Sequence, residues 1–142
     1  MGEVRVKVKL TNSADMSMLR RNLIQSIQLR SLEADALVDT GAVSLVLPSF
    51  VVERLGLARP FKQIAEYADG RRDEVDVTEP VLVELMDRHT NEEALVLGDE
   101  VIIGQTILEK MDLHVDCRER RLLPDPSHPD QPVLKVKSTT NE

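Results

Sequence analysis

The sequence has few of the residues that cross-link or anchor small proteins. Among its 142 residues there is one cysteine, Cys117, so no disulfide can form within the chain. There is no tryptophan, one tyrosine and two phenylalanines, so a core must be built from aliphatic side chains. Hydrophobic residues still make up 42% of the chain. That share suits a single folded domain and disfavours intrinsic disorder.

Two further absences limit where the protein acts and what it binds. No apolar run approaches the ~18 residues of a membrane span, and no secretion signal is apparent at the N-terminus. With a lone cysteine, this predicts a protein of the reducing cytoplasm. The net charge is −7, from 18 Lys and Arg against 25 Asp and Glu. Nucleic acid and anionic membranes both need a basic face, so we expect neither as a partner.

Alternating apolar and polar residues predict a mainly β fold. Strands are expected at residues 2–10 and 31–38, where every second residue is apolar, and at several shorter apolar runs. Short helices are predicted at residues 49–55, with Pro48 as first residue and Gly56 as C-cap, and at residues 105–111. Many short strands with one or two short helices are typical of an all-β closed barrel.

The two ends of the predicted domain are less regular. Residues 11–30 fit a short helix as well as a loop. Four of the seven prolines lie between Pro124 and Pro132. We therefore expect a compact domain over residues 1–124 and a Pro-rich tail over residues 125–142, with a possible strand at 133–137.

The residues most suggestive of chemistry are Asp39, Thr40 and Gly41. They directly follow the predicted strand 31–38, so a carboxylate lies at a tight turn. The Thr40 hydroxyl can bond to backbone, and Gly41 lets another backbone segment approach closely. These are features of a catalytic carboxylate turn, although the same three residue types also form ordinary turns.

This region resembles the retroviral-type (retropepsin-like) aspartic proteases, and more closely the small bacterial aspartic proteases of the same clan. In that family an A-L-V strand enters D-T-G-A, a short apolar strand reaches a proline, and an apolar-apolar-Gly run precedes a helix. The matching segments here are 36–42, 45–48 and 102–104, in that order. The resemblance extends over residues 31–124 and implies a closed acid-protease barrel.

The resemblance also implies an aspartic endopeptidase that acts on a peptide or protein as a homodimer. The chain has a single D-T-G, so the second carboxylate would be Asp39 of another copy. Two carboxylates that lie so near each other share one proton. Together they activate a water molecule and polarise the peptide carbonyl. Thr40 and Gly41 would support the pair. No metal or other cofactor is implied.

A predicted β-hairpin corresponds to the flap that covers the substrate in that family. Asp69-Gly70 predicts its two-residue turn, since both positions tolerate positive φ. The implied substrate contacts are Ala42, Tyr67, Ala68, Asp69 and Gly70. The alternative is an ordinary surface hairpin whose charges at residues 71–74 are solvated.

Two positions depart from the retroviral pattern. Viral enzymes usually have an acidic residue after D-T-G-A and an Arg after the downstream Gly, where this chain has Val43 and Gln105. Both partners of an ion pair are missing, so no charge is left unpaired. A dimer would then depend on a terminal strand, either residues 4–10 or 133–136. The rival functions are a catalytically silent dimerisation or peptide-binding module and a β-barrel unrelated to proteases.

The remaining candidate residues are less specific. Asp112, His114 and Asp116 share one face of a predicted strand and have donors for a cation, but a solvated strand edge is the preferred interpretation. Cys117 is expected on the opposite, inward face. His89, in a predicted polar turn, and His128, in the tail, are expected to be exposed.

Overall fold

A computed structural model describes residues 2–137 of the chain. Within them the protein is mostly β, with three short α-helices and one 3-10 turn, Ser26–Gln28. The strands are β1 (Val4–Asn12), β2 (Ser31–Val38), β3 (Leu45–Leu47), β4 (Phe61–Glu66), β5 (Arg72–Val77), β6 (Val81–Leu85), β7 (Arg88–Glu92), β8 (Ala94–Val96), β9 (Ile102–Ile103), β10 (Leu113–Asp116) and β11 (Arg121–Pro124). The helices are α1 (Ser13–Arg20), α2 (Ser49–Arg54) and α3 (Gln105–Met111).

Nine strands form one sheet in the order β4-β5-β8-β3-β9-β2-β1-β6-β7, while β10 and β11 pair separately. Strand β2 is antiparallel to β1 and parallel to β9. The sheet ends at β4 and β7, and these two strands do not pair with each other within residues 2–137. The expected closure of the sheet into a barrel is therefore not confirmed.

The core is aliphatic, as the composition predicted. Leu10, Leu45, Leu47 and Ile103 are fully buried in the sheet. One face of α3 is buried against them through Ile107, Leu108 and Met111. Burying a side chain of this size contributes about 1.5–3 kcal/mol. None of the helices in the described part of the chain is long and apolar enough to cross a membrane.

The predicted elements near the centre of the fold are confirmed with small changes. The observed bounds of β2 and α3 match the prediction. Pro48 is the N-cap of α2 rather than its first residue, and Gly56, with a φ of 64°, follows the C-cap Leu55. Three α-helices are present instead of one or two, because part of the ambiguous segment 11–30 forms α1.

Two predictions outside this centre were wrong. The polar segment around His89 is strand β7 rather than a turn, because Met86 and Asp87 adopt positive φ and reverse the chain just before it. His89 is nevertheless exposed, as expected. Residues 133–137 form no strand, and the last observed strand is β11.

The segment 11–30 is attached to the rest of the fold by buried polar groups. Asn12 accepts a hydrogen bond from the Asp15 amide (3.0 Å) and donates through Nδ2 to the Leu55 carbonyl (2.8 Å). Asp15 is only 2% exposed, and both of its carboxylate oxygens accept from the Arg30 guanidinium (2.8 and 2.9 Å). The hydrogen bonds from Arg30 lower the pKa of Asp15.

We predict that Asp15→Asn destabilises the fold by about 1–2 kcal/mol at neutral pH, since it removes a charge-assisted pair. The pKa of Asp15 is lowered in the folded state, so its contribution is complete above the ordinary value of 3.8 and is lost as the pH falls through the lower folded value. Urea unfolding measured between pH 2 and 7 tests both expectations. Asp99→Asn, at an exposed aspartate, should change neither the free energy of unfolding nor its dependence on pH. Equal effects of the two variants would contradict the prediction.

Candidate active site

Asp39 lies where β2 leaves the sheet, and the neighbouring strands fix this position. Strand β9 is inserted between β2 and β3, with Val38 opposite Ile103 and Val46 opposite Ile102. The Asp39 amide donates to the Ile103 carbonyl (3.0 Å), which continues the pairing by one residue. The turn 39–44 therefore leads the chain around the end of β9.

Hydrogen bonds within the turn orient the Asp39 carboxylate. Asp39 Oδ1 accepts from the Gly41 amide (2.9 Å), and the Asp39 carbonyl accepts from the Ala42 amide (3.1 Å). Oδ2 has no hydrogen-bond partner within residues 2–137. Asp39 and Thr40 are exposed in the single chain. One carboxylate oxygen is thus held in place while the other remains available to a second group.

The N-terminal end of α3 supports the turn through backbone hydrogen bonds. The Gln105 amide donates to the Ala42 carbonyl (2.8 Å), and the Thr106 amide donates to the Val43 carbonyl (3.0 Å). These amides belong to the first turn of the helix, where no partner exists within the helix itself. Positions 43 and 105, which lack the side-chain pair of the retroviral pattern, are therefore adjacent through their backbones.

Gly104 allows this close approach. A Cβ atom on Gly104 would lie 2.5 Å from the Ser44 carbonyl oxygen and 2.7 Å from that of Ala42. Both distances are too short for a non-bonded contact, and both neighbours are backbone atoms that cannot rotate away. The apolar-apolar-Gly run identified in the sequence thus ends with a glycine because the Asp39 turn packs directly on it.

The other end of α3 is fixed by a buried arginine on β7. Arg88 is 6% exposed, and its Nη1 donates to the carbonyls of Met111 (2.6 Å) and Asp112 (3.1 Å). Its Nη2 donates to the Pro129 carbonyl (3.2 Å) in the tail. A cation beside the last carbonyls of a helix also interacts favourably with the helix dipole. Arg88 therefore holds α3 and the tail to the same edge of the sheet.

A cleft of about 1010 Å³ lies beside the Asp39 turn. Asp39, Gly41 and Ala42 line it from the turn, and Tyr67 and Ala68 line it from the hairpin of β4 and β5. The apolar residues of its walls are Val43, Val46, Ile64, Val77, Leu95, Leu97 and Ile102. The cleft therefore places an oriented carboxylate next to an apolar channel.

The hairpin forms where it was predicted, but its loop has three residues rather than two. The Gly70 amide donates to the Tyr67 carbonyl (2.9 Å), and the Tyr67 amide donates to the Arg71 carbonyl (2.8 Å). Only Gly70, with a φ of 86°, adopts a positive φ, while Asp69 accepts a hydrogen bond from the Arg71 amide (3.0 Å). Asp69 and Gly70 thus shape the loop and, unlike Ala42, Tyr67 and Ala68, do not line the cleft.

Charged residues on the hairpin make specific contacts instead of being merely solvated. The Arg71 guanidinium lies 4.6 Å from the centre of the Tyr67 ring, a cation–π distance that restrains the ring. At the base of the hairpin, Asp76 pairs with Lys62 (2.6 Å) and Arg59 (3.2 Å). These two cations, Lys62 above all, lower the pKa of Asp76. The hairpin is therefore tied together at both ends.

Several cleft residues were not found from the sequence. Glu92, Glu93 and Leu95 reach the cleft because β8 pairs in parallel with β3, so that Ala94 lies opposite Leu45. Lys110 lines it from α3. Glu92 is 9% exposed, pairs with Lys110 (2.7 Å) and accepts from the Thr90 hydroxyl (2.8 Å). The alternation within a single strand cannot reveal such pairing between distant segments.

The weaker candidates occupy unexpected positions. Asp116 accepts hydrogen bonds from the amides of Arg118 and Glu119 (both 3.1 Å) and so closes the turn between β10 and β11. Cys117 is exposed rather than inward, because β10 ends at Asp116 and the chain turns there. His128 is partly buried rather than exposed, because the tail folds back on the end of α3.

Comparisons with known proteins gave one line of similarity. No protein-family model matches the chain, and no curated protein matches it. Among solved structures, the chain is similar to EIAV protease complexed with the inhibitor HBY-793, with 30% sequence identity and a TM-score of 0.45. The match covers 54% of this chain and 75% of that protein.

We predict that Gly104→Ala loosens the Asp39 turn, because the added methyl group must displace backbone atoms of residues 42 and 44. The expected loss of stability is about 1–3 kcal/mol. Amide hydrogen exchange followed by NMR gives the local effect, and the Gln105 and Thr106 amides should exchange much faster than in the parent protein.

Gly98→Ala is the matched control, since a Cβ there meets open space and only the positive φ is unfavourable. It should leave the Gln105 and Thr106 amides protected. If these amides were as well protected in Gly104→Ala as in the parent protein, the contact between Gly104 and the turn would not be tight.

Proposed function

We propose that this protein is an aspartic endopeptidase of the retropepsin-like type, active as a homodimer. The observation that carries the proposal is the oriented, exposed Asp39 carboxylate at the edge of a cleft large enough for a peptide. The order of D-T-G-A, hairpin and apolar-apolar-Gly run in the sequence supports the same assignment.

The chemistry requires a second carboxylate. Peptide hydrolysis without a covalent intermediate needs one group to take a proton from water and another to protonate the carbonyl oxygen. Of the other acidic residues that line the cleft, Glu66 pairs with Arg72 (2.7 Å) and Glu92 pairs with Lys110 (2.7 Å). No hydrogen bond joins Glu93 to Asp39 within residues 2–137. Asp39 of a second copy, related by a two-fold axis, would supply the missing group with the same backbone support.

In the resulting dyad one carboxylate is ionised and the other is protonated. The ionised Asp39 takes a proton from water as the oxygen attacks the peptide carbonyl carbon, and its partner donates a proton to the carbonyl oxygen. The tetrahedral intermediate, a geminal diol, then collapses as the C–N bond breaks. The now protonated Asp39 gives its proton to the amine nitrogen, one hydroxyl group returns a proton to the partner carboxylate, and the dyad regains its starting protonation. The Gly41 amide holds Oδ1 in place through its hydrogen bond, so the carboxylate keeps its orientation during these steps.

Exposed residues around the turn support an interface between two copies. Val43, beside Asp39 and Thr40, is 74% exposed. Strand β1 is paired with β2 from Val4 to Thr11 and with β6 from Lys9 to Asn12, so only residues 4–8 keep one unpaired edge within the described chain. Residues 133–136 have no strand partner within the described chain, and three of their side chains are exposed and apolar. We therefore favour residues 133–136 over 4–10 as the segment that pairs across the two-fold axis.

The substrate would be an extended peptide placed between the turn and the hairpin. Ala42, Tyr67 and Ala68 already face the cleft. Asp69 and Gly70 would touch the peptide only after the hairpin closes over it, as a flap does. Main-chain hydrogen bonds from such a hairpin hold a peptide in strand conformation, while the apolar walls select its side chains.

We predict that Asp39→Asn abolishes cleavage of an unfolded protein, with a loss of about 1,000-fold or more, because an amide cannot serve as the general base. Proteolysis assays between pH 3 and 7, at a concentration that favours dimers, measure the effect. Asp99→Asn, at an exposed residue outside the cleft, is the control and should retain most activity.

The possible outcomes separate the rival functions. Equal activity of the parent protein and Asp39→Asn would defeat the assignment of Asp39. A dimer that cleaves nothing across this pH range would favour the silent peptide-binding module, to which the missing ion pair at Val43 and Gln105 also points. A strict monomer at high concentration would remove the dyad altogether.

A second prediction concerns the sharing of the site between subunits. When parent protein exchanges subunits with a threefold excess of Asp39→Asn, activity per parent chain should fall to about one quarter, because only parent–parent dimers contain a full dyad. An equal excess of Asp99→Asn should cause no such loss. Unchanged activity in the Asp39→Asn mixture would indicate that each chain carries a complete site.

A further inference from the structure

A second cluster of ionisable residues lies at the C-terminal end of α3, and none of its residues lines the cleft. Asp112 is the C-cap of α3, Asp125 follows the last strand, and His128 lies three residues later in the Pro-rich tail. They come from two segments, the end of α3 and the start of the tail, and the tail is held there by the bond from Arg88 to the Pro129 carbonyl.

The imidazole of His128 lies between two carboxylates. Its Nδ1 is 2.5 Å from Asp112 Oδ2, and its Nε2 is 3.6 Å from Asp125 Oδ2. One donor atom from each of the three residues lies within 4.8 Å of the other two. His114 adds a further nitrogen 3.5 Å from Asp125 Oδ2. This is the spacing of groups that can share one cation.

His128 Nδ1 has a close contact with Asp112 but no hydrogen bond of proper geometry within residues 2–137. The atom is closed to solvent. Buried ring nitrogens without a hydrogen bond are uncommon, and a neutral imidazole nitrogen is a frequent metal ligand. The unsatisfied nitrogen therefore points to a ligand that the surrounding carboxylates would also attract.

The backbone holds both carboxylates in position. Asp112 Oδ2 accepts from the Val133 amide (3.0 Å), and Asp125 Oδ1 accepts from the Ser127 amide (2.8 Å), which leaves Asp125 Oδ2 available. Groups that hydrogen-bond to ligands fix their orientation and strengthen a metal site. The donor atoms are thus largely pre-oriented in the protein alone.

We propose that Asp112, Asp125 and His128 bind one divalent transition-metal ion of the zinc class, with His114 as an additional donor beside Asp125. Mixed nitrogen and carboxylate donors suit Zn²⁺, whereas Mg²⁺ and Ca²⁺ prefer oxygen alone. The set differs from Asp112, His114 and Asp116, which share a strand face in the sequence, since Asp116 is used by its own turn. The ion fastens the tail to the end of α3 and has a structural role.

Titration of the metal-free full chain with Zn²⁺ tests the proposal, by calorimetry and by thermal unfolding, and Co²⁺ provides a spectroscopic probe. We expect one saturable site per chain and a higher unfolding temperature with metal. His128→Gln and Asp112→Asn should each weaken binding by about 10–100-fold. None of these measurements depends on proteolysis, so the result is independent of the proposed function.

Two variants serve as controls. His89→Gln removes an exposed histidine of β7, and Cys117→Ser removes the only thiol; both should bind Zn²⁺ as the parent does. If His128→Gln fails to fold, Asp125→Asn takes its place. The proposal is overturned if no saturable binding occurs, if binding survives in both site variants, or if it is lost in Cys117→Ser. In the first case the cluster is an ion-paired contact that holds the tail without a metal.

Discussion

The geometry of the site depends on two backbone hydrogen bonds, from the first amides of α3 to the carbonyls of Ala42 and Val43. A turn that leaves a sheet to expose a carboxylate has carbonyl groups that no strand can satisfy, and each would be costly if buried without a partner. The unsatisfied amides of a helix N-terminus are complementary to them. This contact is possible only because Gly104 has no side chain.

The same contact explains how the chain can lack an ion pair at positions 43 and 105. A side-chain pair between the turn and the helix would require two charges to be desolvated, and removal of either partner would leave the other uncompensated. Backbone amides perform the linking role without a net charge. The backbone of Val43 takes part in this link through its carbonyl, while its apolar side chain stays exposed beside Asp39.

The sequence predicted the elements whose signals are local. Periodicity predicted β2 and α3, and Pro48 and Gly56 marked the two ends of α2 closely. The D-T-G residues predicted the turn that follows β2. Strand β7 was missed because Met86 is an unusual residue for a turn with positive φ, although Asp87 is a common one. The far wall of the cleft was missed because the pairing of β8 with β3 joins distant segments. The burial of His128 was missed because it depends on contacts made by the tail, to which Arg88 contributes from another strand.

Helix α3 connects the two sites that we propose. Its N-terminal amides hold the Asp39 turn, and its C-cap residue Asp112 belongs to the cluster around His128. A helix of seven residues is about 10 Å long, so the two sites are separated by a single short element. Because Ile107, Leu108 and Met111 are fully buried, α3 cannot slide or rotate without opening the core. The helix therefore acts as a rigid spacer between the Asp39 turn and the cluster around His128.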